Sequence, residues 1–132
     1  MDIVEETRIP HFARFFQATE QSDVSNADQI YDDAIQLQEA GNLQEAVTKL
    51  EGLLADEPDY ALAHTALSVF YGKLDRHDEA VEHAKKVCEL EPEDPFSYMA
   101  MSLTCQKAGN RVEAEQAMAQ AMEKQWAARQ QP

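Results

Sequence analysis

Residues 41–60 read GNLQEAVTKLEGLLADEPDY, and residues 75–94 read DRHDEAVEHAKKVCELEPED. The two stretches begin 34 residues apart, and the prolines near their ends, Pro58 and Pro92, keep the same separation. A third stretch, residues 109–128, reads GNRVEAEQAMAQAMEKQWAA and follows at the same interval. Self-similarity at a fixed period of this length indicates a repeat architecture, in which each unit stacks on its neighbours.

Aligning the chain at this period places residues of similar size in the same column. The clearest columns are Ala46, Ala80 and Ala114; Gly41, Asp75 and Gly109; and Leu37, Tyr71 and Cys105. A column of alanines suits a close crossing of two helices, since a larger side chain there would push the helices apart. The columns therefore predict pairs of antiparallel helices.

The first unit shows how one pair is built. Its first helix carries the apolar stripe Ile30, Ala34 and Leu37, and its second carries Leu43, Ala46, Val47 and Leu50. Between them, Gly41 tolerates the left-handed conformation that ends a helix, and Asn42 is able to cap the next helix. Pro58 then stops the pair. The third unit opens at Asp94-Pro95, a cap followed by proline at the first helical position.

The spacing, the alanine column, the turn glycines and the terminal prolines resemble the tetratricopeptide repeat family. The resemblance implies an all-α fold, a right-handed superhelical stack of three helix-turn-helix repeats with an extra N-terminal helical segment. We expect the repeats at 27–60, 61–94 and 95–128, within a domain of residues 26–128. We also expect residues 1–25 to be an N-terminal segment with a short amphipathic helix, and residues 129–132 to be a C-terminal tail.

The chain departs from the family pattern at some positions. Where the family has a large aromatic residue near the start of the first helix, this chain has Ile30, His64 and Tyr98. In the third repeat Trp126 stands where the family has its proline, so we expect the last helix to continue.

The composition of the chain limits the classes of partner that it can bind. With 25 acidic and 11 basic residues, the net charge is −14, which repels phosphate backbones and anionic membranes. The net negative charge is concentrated in residues 1–60, which form either an ordinary solvated surface or a surface that steers a basic partner. No secretory signal or membrane-length apolar run is evident, so we expect a cytoplasmic protein. Cys88 and Cys105 lie in apolar helical patterns and are expected to be buried reduced thiols.

Catalytic patterns are missing from the sequence. It contains no nucleophile elbow, phosphate-binding loop or dinucleotide fingerprint. His77 and His83 lack the spacing of metal ligands, and His64 is interpreted as a satisfied interfacial histidine. We therefore expect no enzyme activity, no cofactor and no metal site.

The resemblance places function on a concave groove lined by the first helix of each repeat, where a peptide or helix of a partner binds. The predicted groove residues are Tyr31, Ile35, Leu62, Ala66, Val69, Lys73, Phe96, Met99, Leu103 and Lys107. One branch of the family clamps acidic chaperone tails with Lys, Asn and Arg side chains, and at those positions this chain has Tyr31, Ile35, Ala66, Phe96 and Ala100. The apolar positions either pack under neighbouring helices or form a groove that binds an apolar or amphipathic segment. We favour the groove, and we therefore predict that the protein is an adaptor or scaffold.

Two alternatives concern the chain ends. Phe12, Phe15 and Phe16 share one face of the N-terminal helix, which either covers the first repeat or fills this groove or that of a sister molecule. Met122 and Trp126 have no later helix to cover them. These five residues are the candidates for self-association, with a homodimer as one outcome. A bacterial secretion-type chaperone is a narrower alternative, similar in size and charge only.

Overall fold

A computed structural model describes residues 26–131, and within them the chain forms six helices and no strand. Helix α1 spans 26–39, and the others are α2 (Leu43–Asp56), α3 (Ala61–Lys73), α4 (His77–Leu90), α5 (Pro95–Lys107) and α6 (Arg111–Arg129). Consecutive helices form three antiparallel pairs, which confirms the all-α fold predicted from the period. The predicted N-terminal helix with Phe12, Phe15 and Phe16 lies outside the described residues, and the domain boundary at residue 25 stays a prediction.

The core follows the stack from one pair to the next. Its largest cluster joins α1 to α4 and centres on Leu50 and Leu67, both fully buried, with Phe70 and Tyr71 beside them. Two smaller clusters continue it between α4, α5 and α6; their buried members are Val81, Cys105 and Ala114 in one and Cys88, Tyr98 and Ala121 in the other. Each pair thus buries its apolar faces partly against its neighbour, as stacked repeats do.

The alanine column is buried in all three pairs. Ala46 and Ala80 expose none of their surface and Ala114 exposes 2%. Because each sits on the second helix where the first packs against it, the methyl group fills the available space. This burial agrees with the close helix crossing predicted for the alanine column.

The turn column has a common backbone geometry. Gly41, Asp75 and Gly109 all adopt positive φ, at 91°, 62° and 84°. The following amides, of Asn42, Arg76 and Asn110, donate to the carbonyls of Leu37, Tyr71 and Cys105, each at 2.8 Å. A left-handed residue with this long backward hydrogen bond is the usual C-terminal cap of a helix. Asp75 therefore takes the glycine's place at a conformation that glycine adopts with less strain.

Of the two predicted N-terminal helix caps, the structure shows one. Asp94 caps α5 as predicted, its Oδ1 accepting from the amide of Phe96 at 2.9 Å, with Pro95 next in the chain. Asn42 occupies the N-cap position of α2, but its side chain accepts no capping hydrogen bond, so the expected side-chain cap is wrong. The Asn42 backbone takes part in the preceding turn instead, where its amide donates to the carbonyl of Leu37.

Neighbouring repeats are tied together at their prolines. The ring nitrogen Nε2 of His64 lies 2.7 Å from the carbonyl oxygen of Pro58, and the hydroxyl of Tyr98 donates to the carbonyl of Pro92 at 2.9 Å. His64 and Tyr98 occupy the same column, so two different side chains make the same link. Helix α6 meets no proline and continues to Arg129, as Trp126 in that column predicts.

Candidate protein-binding groove

The first helices of the second and third repeats, α3 and α5, expose four large apolar side chains. Leu62 and Val69 on α3 are 53% and 48% exposed, and Phe96 and Leu103 on α5 are 70% and 56% exposed. Each pair is seven residues apart, which is two helical turns, so both side chains of a helix lie on one face. All four were predicted groove residues. They form an apolar surface that no described residue covers.

Between α3 and α5 runs a depression, called the furrow below, which contains two clefts of about 130 Å³ each. Thr65, Ser68 and Ala100 line both clefts and form the middle of the furrow. Phe96 borders one cleft, and Val69 and Leu103 border the other. The furrow therefore combines apolar walls with a small polar strip of hydroxyl groups, a composition suited to binding part of another protein.

Other predicted groove residues are less accessible. Tyr31 and Ile35 on α1 are half-buried against the main core, and the Tyr31 ring lies 6.2 Å from that of Tyr60. Ala66 is buried, and Met99 is half-buried against the cluster around Tyr98. The open apolar surface thus belongs mainly to repeats two and three, because α1 uses its apolar residues for the core.

Charges differ between the two ends of the furrow. Lys107 and His77 line the cleft near the C-terminal ends of α3 and α5, and exposed Lys73 lies in the same column as Lys107. Glu91 and Asp94 line the other cleft, at the N-terminal end of α5. A ligand in the furrow would therefore meet a basic end and an acidic end.

A polar cluster between α3 and α4 was not predicted from the sequence. His64 on α3 and His83 on α4 bring their Nδ1 atoms to 2.9 Å, although they are 19 residues apart. The Tyr71 ring stacks on His83 with centroids 5.6 Å apart, and its hydroxyl donates to the Glu51 carboxylate. Glu51 also lies 3.6 Å from His83 Nε2. His64 is satisfied, as predicted, but its partner is a second histidine that helical spacing within one element could not reveal.

Burial controls the titration of this cluster. It lowers the pKa of His83, against the opposing effect of the nearby Glu51 carboxylate. It also raises the pKa of the Tyr71 hydroxyl, and the hydrogen bond to Glu51 acts in the same direction. The described residues include no group of three His, Cys, Asp or Glu side chains arranged to hold a metal ion.

The two cysteines lie in the core as unpaired thiols. Burial raises the pKa of both, and Cys88 Sγ contacts the carbonyl of Ser97 at 3.4 Å. Their placement agrees with the buried reduced thiols expected from the sequence.

The last helix presents another apolar surface. Met118, Met122 and Trp126 follow one another at four-residue intervals on α6, and Met122 and Trp126 are each 63% exposed. Among the helices of residues 26–131, none is long and apolar enough to cross a membrane.

The tetratricopeptide repeat model matches residues 37–100 of this chain. Among solved structures, a crystal structure of MamA is 25% identical with a TM-score of 0.73; the match covers 80% of this chain and 61% of MamA. The chain thus spans about three-fifths of the MamA chains it matches. The Yersinia enterocolitica type III secretion translocator chaperone SycD is 16% identical, with a TM-score of 0.68 and 76% of each chain covered.

The second repeat domain of Spaghetti (RPAP3), solved with the HSP90 peptide SRMEEVD, is also 16% identical. Its TM-score is 0.68, and the match covers 79% of this chain and 96% of that one. No curated protein sequence matches this chain significantly. Helix pairs at a 34-residue period, the shared turn geometry and the family model agree, and residues 37–100 belong to the tetratricopeptide repeat family, whose fold the solved structures share with the rest of the helix stack.

Proposed function

We propose that this protein is a non-enzymatic adaptor that holds an apolar or amphipathic segment of another protein on the faces of α3 and α5. The observation that carries the proposal is the exposure of Leu62, Val69, Phe96 and Leu103 on α3 and α5. Val69, Phe96 and Leu103 border the furrow, and Leu62 lies two helical turns before Val69 on α3. Contiguous apolar side chains on a protein surface usually mark an interface. Covering them is favourable by about 25 cal/mol for each Å² removed from water. The expected cytoplasmic location stays a prediction.

The family supports a binding role, since its members are typically non-enzymatic interaction modules. The repeat domain of Spaghetti was solved with a bound peptide, and CopN with Scc3 as a complex. In this chain Ala66 and Ala100 are among the residues that replace the Lys, Asn and Arg clamp of the chaperone-binding branch. A buried carboxylate without a fixed cation is unfavourable, so apolar contacts are the expected anchors here.

Peptide display with structure-based variants tests the proposal. We expect random 16-residue peptides selected on the wild-type protein to bind Leu62→Glu and Leu103→Glu about tenfold more weakly or worse, because central apolar anchors dominate binding. Val112→Glu is the matched control, since Val112 is 67% exposed on α6, away from the furrow. Circular dichroism verifies the helical fold of each variant. Peptides that bind both groove variants as tightly as the wild type would contradict the proposal.

Self-association is the second candidate function. The exposed stripe of Met118, Met122 and Trp126 on α6 favours it, because the last helix pair has one face that no described residue covers. Phe12, Phe15 and Phe16 remain candidates from the sequence and lie outside the described residues. A dimer formed through this stripe would leave the furrow open, so the two functions are compatible.

A secretion-type chaperone is a special case of the adaptor, with an apolar segment of a secreted protein as its client. Its support is a shared fold with SycD and Scc3, at 16% and 15% identity. Neighbouring genes that encode secretion components would favour this case over a general adaptor.

A further inference from the structure

The two ends of the furrow between α3 and α5 carry opposite charges, which restricts the kind of ligand that can bind there. Lys107 lines the cleft near the C-terminal ends of α3 and α5. Lys73 occupies the same column of the preceding repeat and is exposed in the last turn of α3. Glu91 and Asp94 line its opposite end. The chain as a whole is strongly acidic, with a net charge of −14. Two cations, each in the last turn of a helix that forms the furrow, therefore differ in sign from the charge of the molecule as a whole.

Most of the other cations on the described helices pair with an acidic side chain, although Lys49 and Arg129, like these two lysines, make no ion pair within residues 26–131. Lys85, Lys86 and Lys124 each pair with an acidic side chain within 4.0 Å, as do Arg76 and Arg111. Within residues 26–131, Lys73 and Lys107 make no such pair. A cation at a helix C-terminus is favourable by itself, but the last turns of α2 and α4 carry none. Helices α3 and α5, which form the furrow, both carry one.

The acidic end is held in place by the fold. Asp94 caps α5 through its hydrogen bond to the amide of Phe96, and the backbone carbonyl of Glu91 accepts from the Ser97 hydroxyl at 3.1 Å. Both residues thus belong to an ordered turn. Helix α5 rises by about 1.5 Å per residue, so its 13 residues separate the two ends by roughly 20 Å. A helical segment of about four turns would span this distance.

We propose that the ligand of the furrow is an amphipathic protein segment with acidic residues directly after its apolar stripe and basic residues before it. The segment lies parallel to α3 and α5, with its C-terminal end at Lys73 and Lys107. A helical ligand gains further from this direction, since the partial negative charge of its C-terminus then faces the lysines. Apolar contacts with Leu62, Val69, Phe96 and Leu103 anchor the segment, and the charges select its direction and flanks. This inference rests on the proposed adaptor function.

Peptide display supplies the probe. Random 16-residue peptides are selected on the wild-type protein, and those that also bind Leu103→Glu are removed. We expect the remaining peptides to be enriched in Asp and Glu after the apolar stripe. The double variant Lys73→Gln/Lys107→Gln should bind them about two- to tenfold more weakly at low salt, which is the range for a few exposed ion pairs. Lys49→Gln is the matched control, because Lys49 lies on α2 and makes no ion pair with a described residue.

The direction in which the peptide binds is measured in a separate experiment. A nitroxide on the C-terminus of a selected peptide should broaden the amide signals of residues 103–107, and one on the N-terminus those of residues 91–96. The opposite pattern overturns the proposed direction. Peptides enriched without an acidic flank, or bound equally by the double variant, overturn the charge selection while the adaptor function stands. Failure to select any peptide that depends on Leu103 overturns both.

Discussion

The histidine pair shows how a single hydrogen bond determines the state of its neighbours. The Pro58 carbonyl can only accept, so Nε2 of His64 carries a proton and its Nδ1 accepts when the ring is neutral. His83 must then donate through Nδ1. Its Nε2 is left facing Glu51, whose carboxylate already accepts from Tyr71. The neutral pair thus has one consistent arrangement of protons.

Stability should decrease on acidification through His83. Burial lowers the pKa of this imidazole below its ordinary 6.5 in the folded protein. Between that lowered value and 6.5 the unfolded chain binds more protons, so the free energy of unfolding falls as the pH drops below about 6.5. We expect His83→Gln, which can still donate to His64, to weaken this dependence in urea unfolding at pH 7.5 and 5.5.

His77→Gln is the control, since His77 lies outside the pair and contacts Asp75. A dependence on pH that is the same in His83→Gln and in the wild type would show that burial of His83 contributes nothing to it.

At the scale of helix pairs, the alanine column sets how closely two helices approach. Ala80 is fully buried where α4 packs on α3. Ala80→Leu should destabilise the protein by about 1–3 kcal/mol, because the added carbons force the helices apart. Ala55→Leu, on an exposed position of α2, should change stability little. Chemical unfolding of both variants checks the difference; equal stabilities would contradict the close crossing at Ala80.

At the scale of the whole molecule, the exposed stripe on α6 predicts the solution mass. If identical subunits pair through this end, light scattering at rising concentration should show a dimer that Trp126→Ala weakens. Removal of residues 1–22 tests the N-terminal candidates in the same way. Phe96→Ala is the control for Trp126, because Phe96 is an exposed aromatic of the furrow. A monomer at all concentrations removes the case for self-association.

The fold could be predicted from the sequence because repetition multiplies weak signals. Ala46, Ala80 and Ala114 say little separately, but their common spacing identifies one helix crossing three times. Accessibility could not be read in the same way. The period places Tyr31 and Leu62 on corresponding faces, yet does not say that Tyr31 packs against Tyr60 while Leu62 stays open.

The histidine pair was unpredictable for a related reason. His64 and His83 lie on different helices, and their contact depends on the rotation of α3 against α4. The polarity of the furrow was present in the sequence, as Lys73 and Lys107 were both predicted groove residues. Their significance emerged only when the structure placed Glu91 and Asp94 at the opposite end.

The links between prolines and first helices also bear on the order in which the stack opens. His64 and Tyr98 fasten α3 and α5 to the end of the preceding repeat, whereas Ile30 in the same column has no polar atom with which to fasten α1. In a linear array, each unit is stabilised chiefly by its neighbours. Partial unfolding should therefore proceed in steps of one repeat, with each step breaking one proline link, and α1 should detach before the helices that such a link holds.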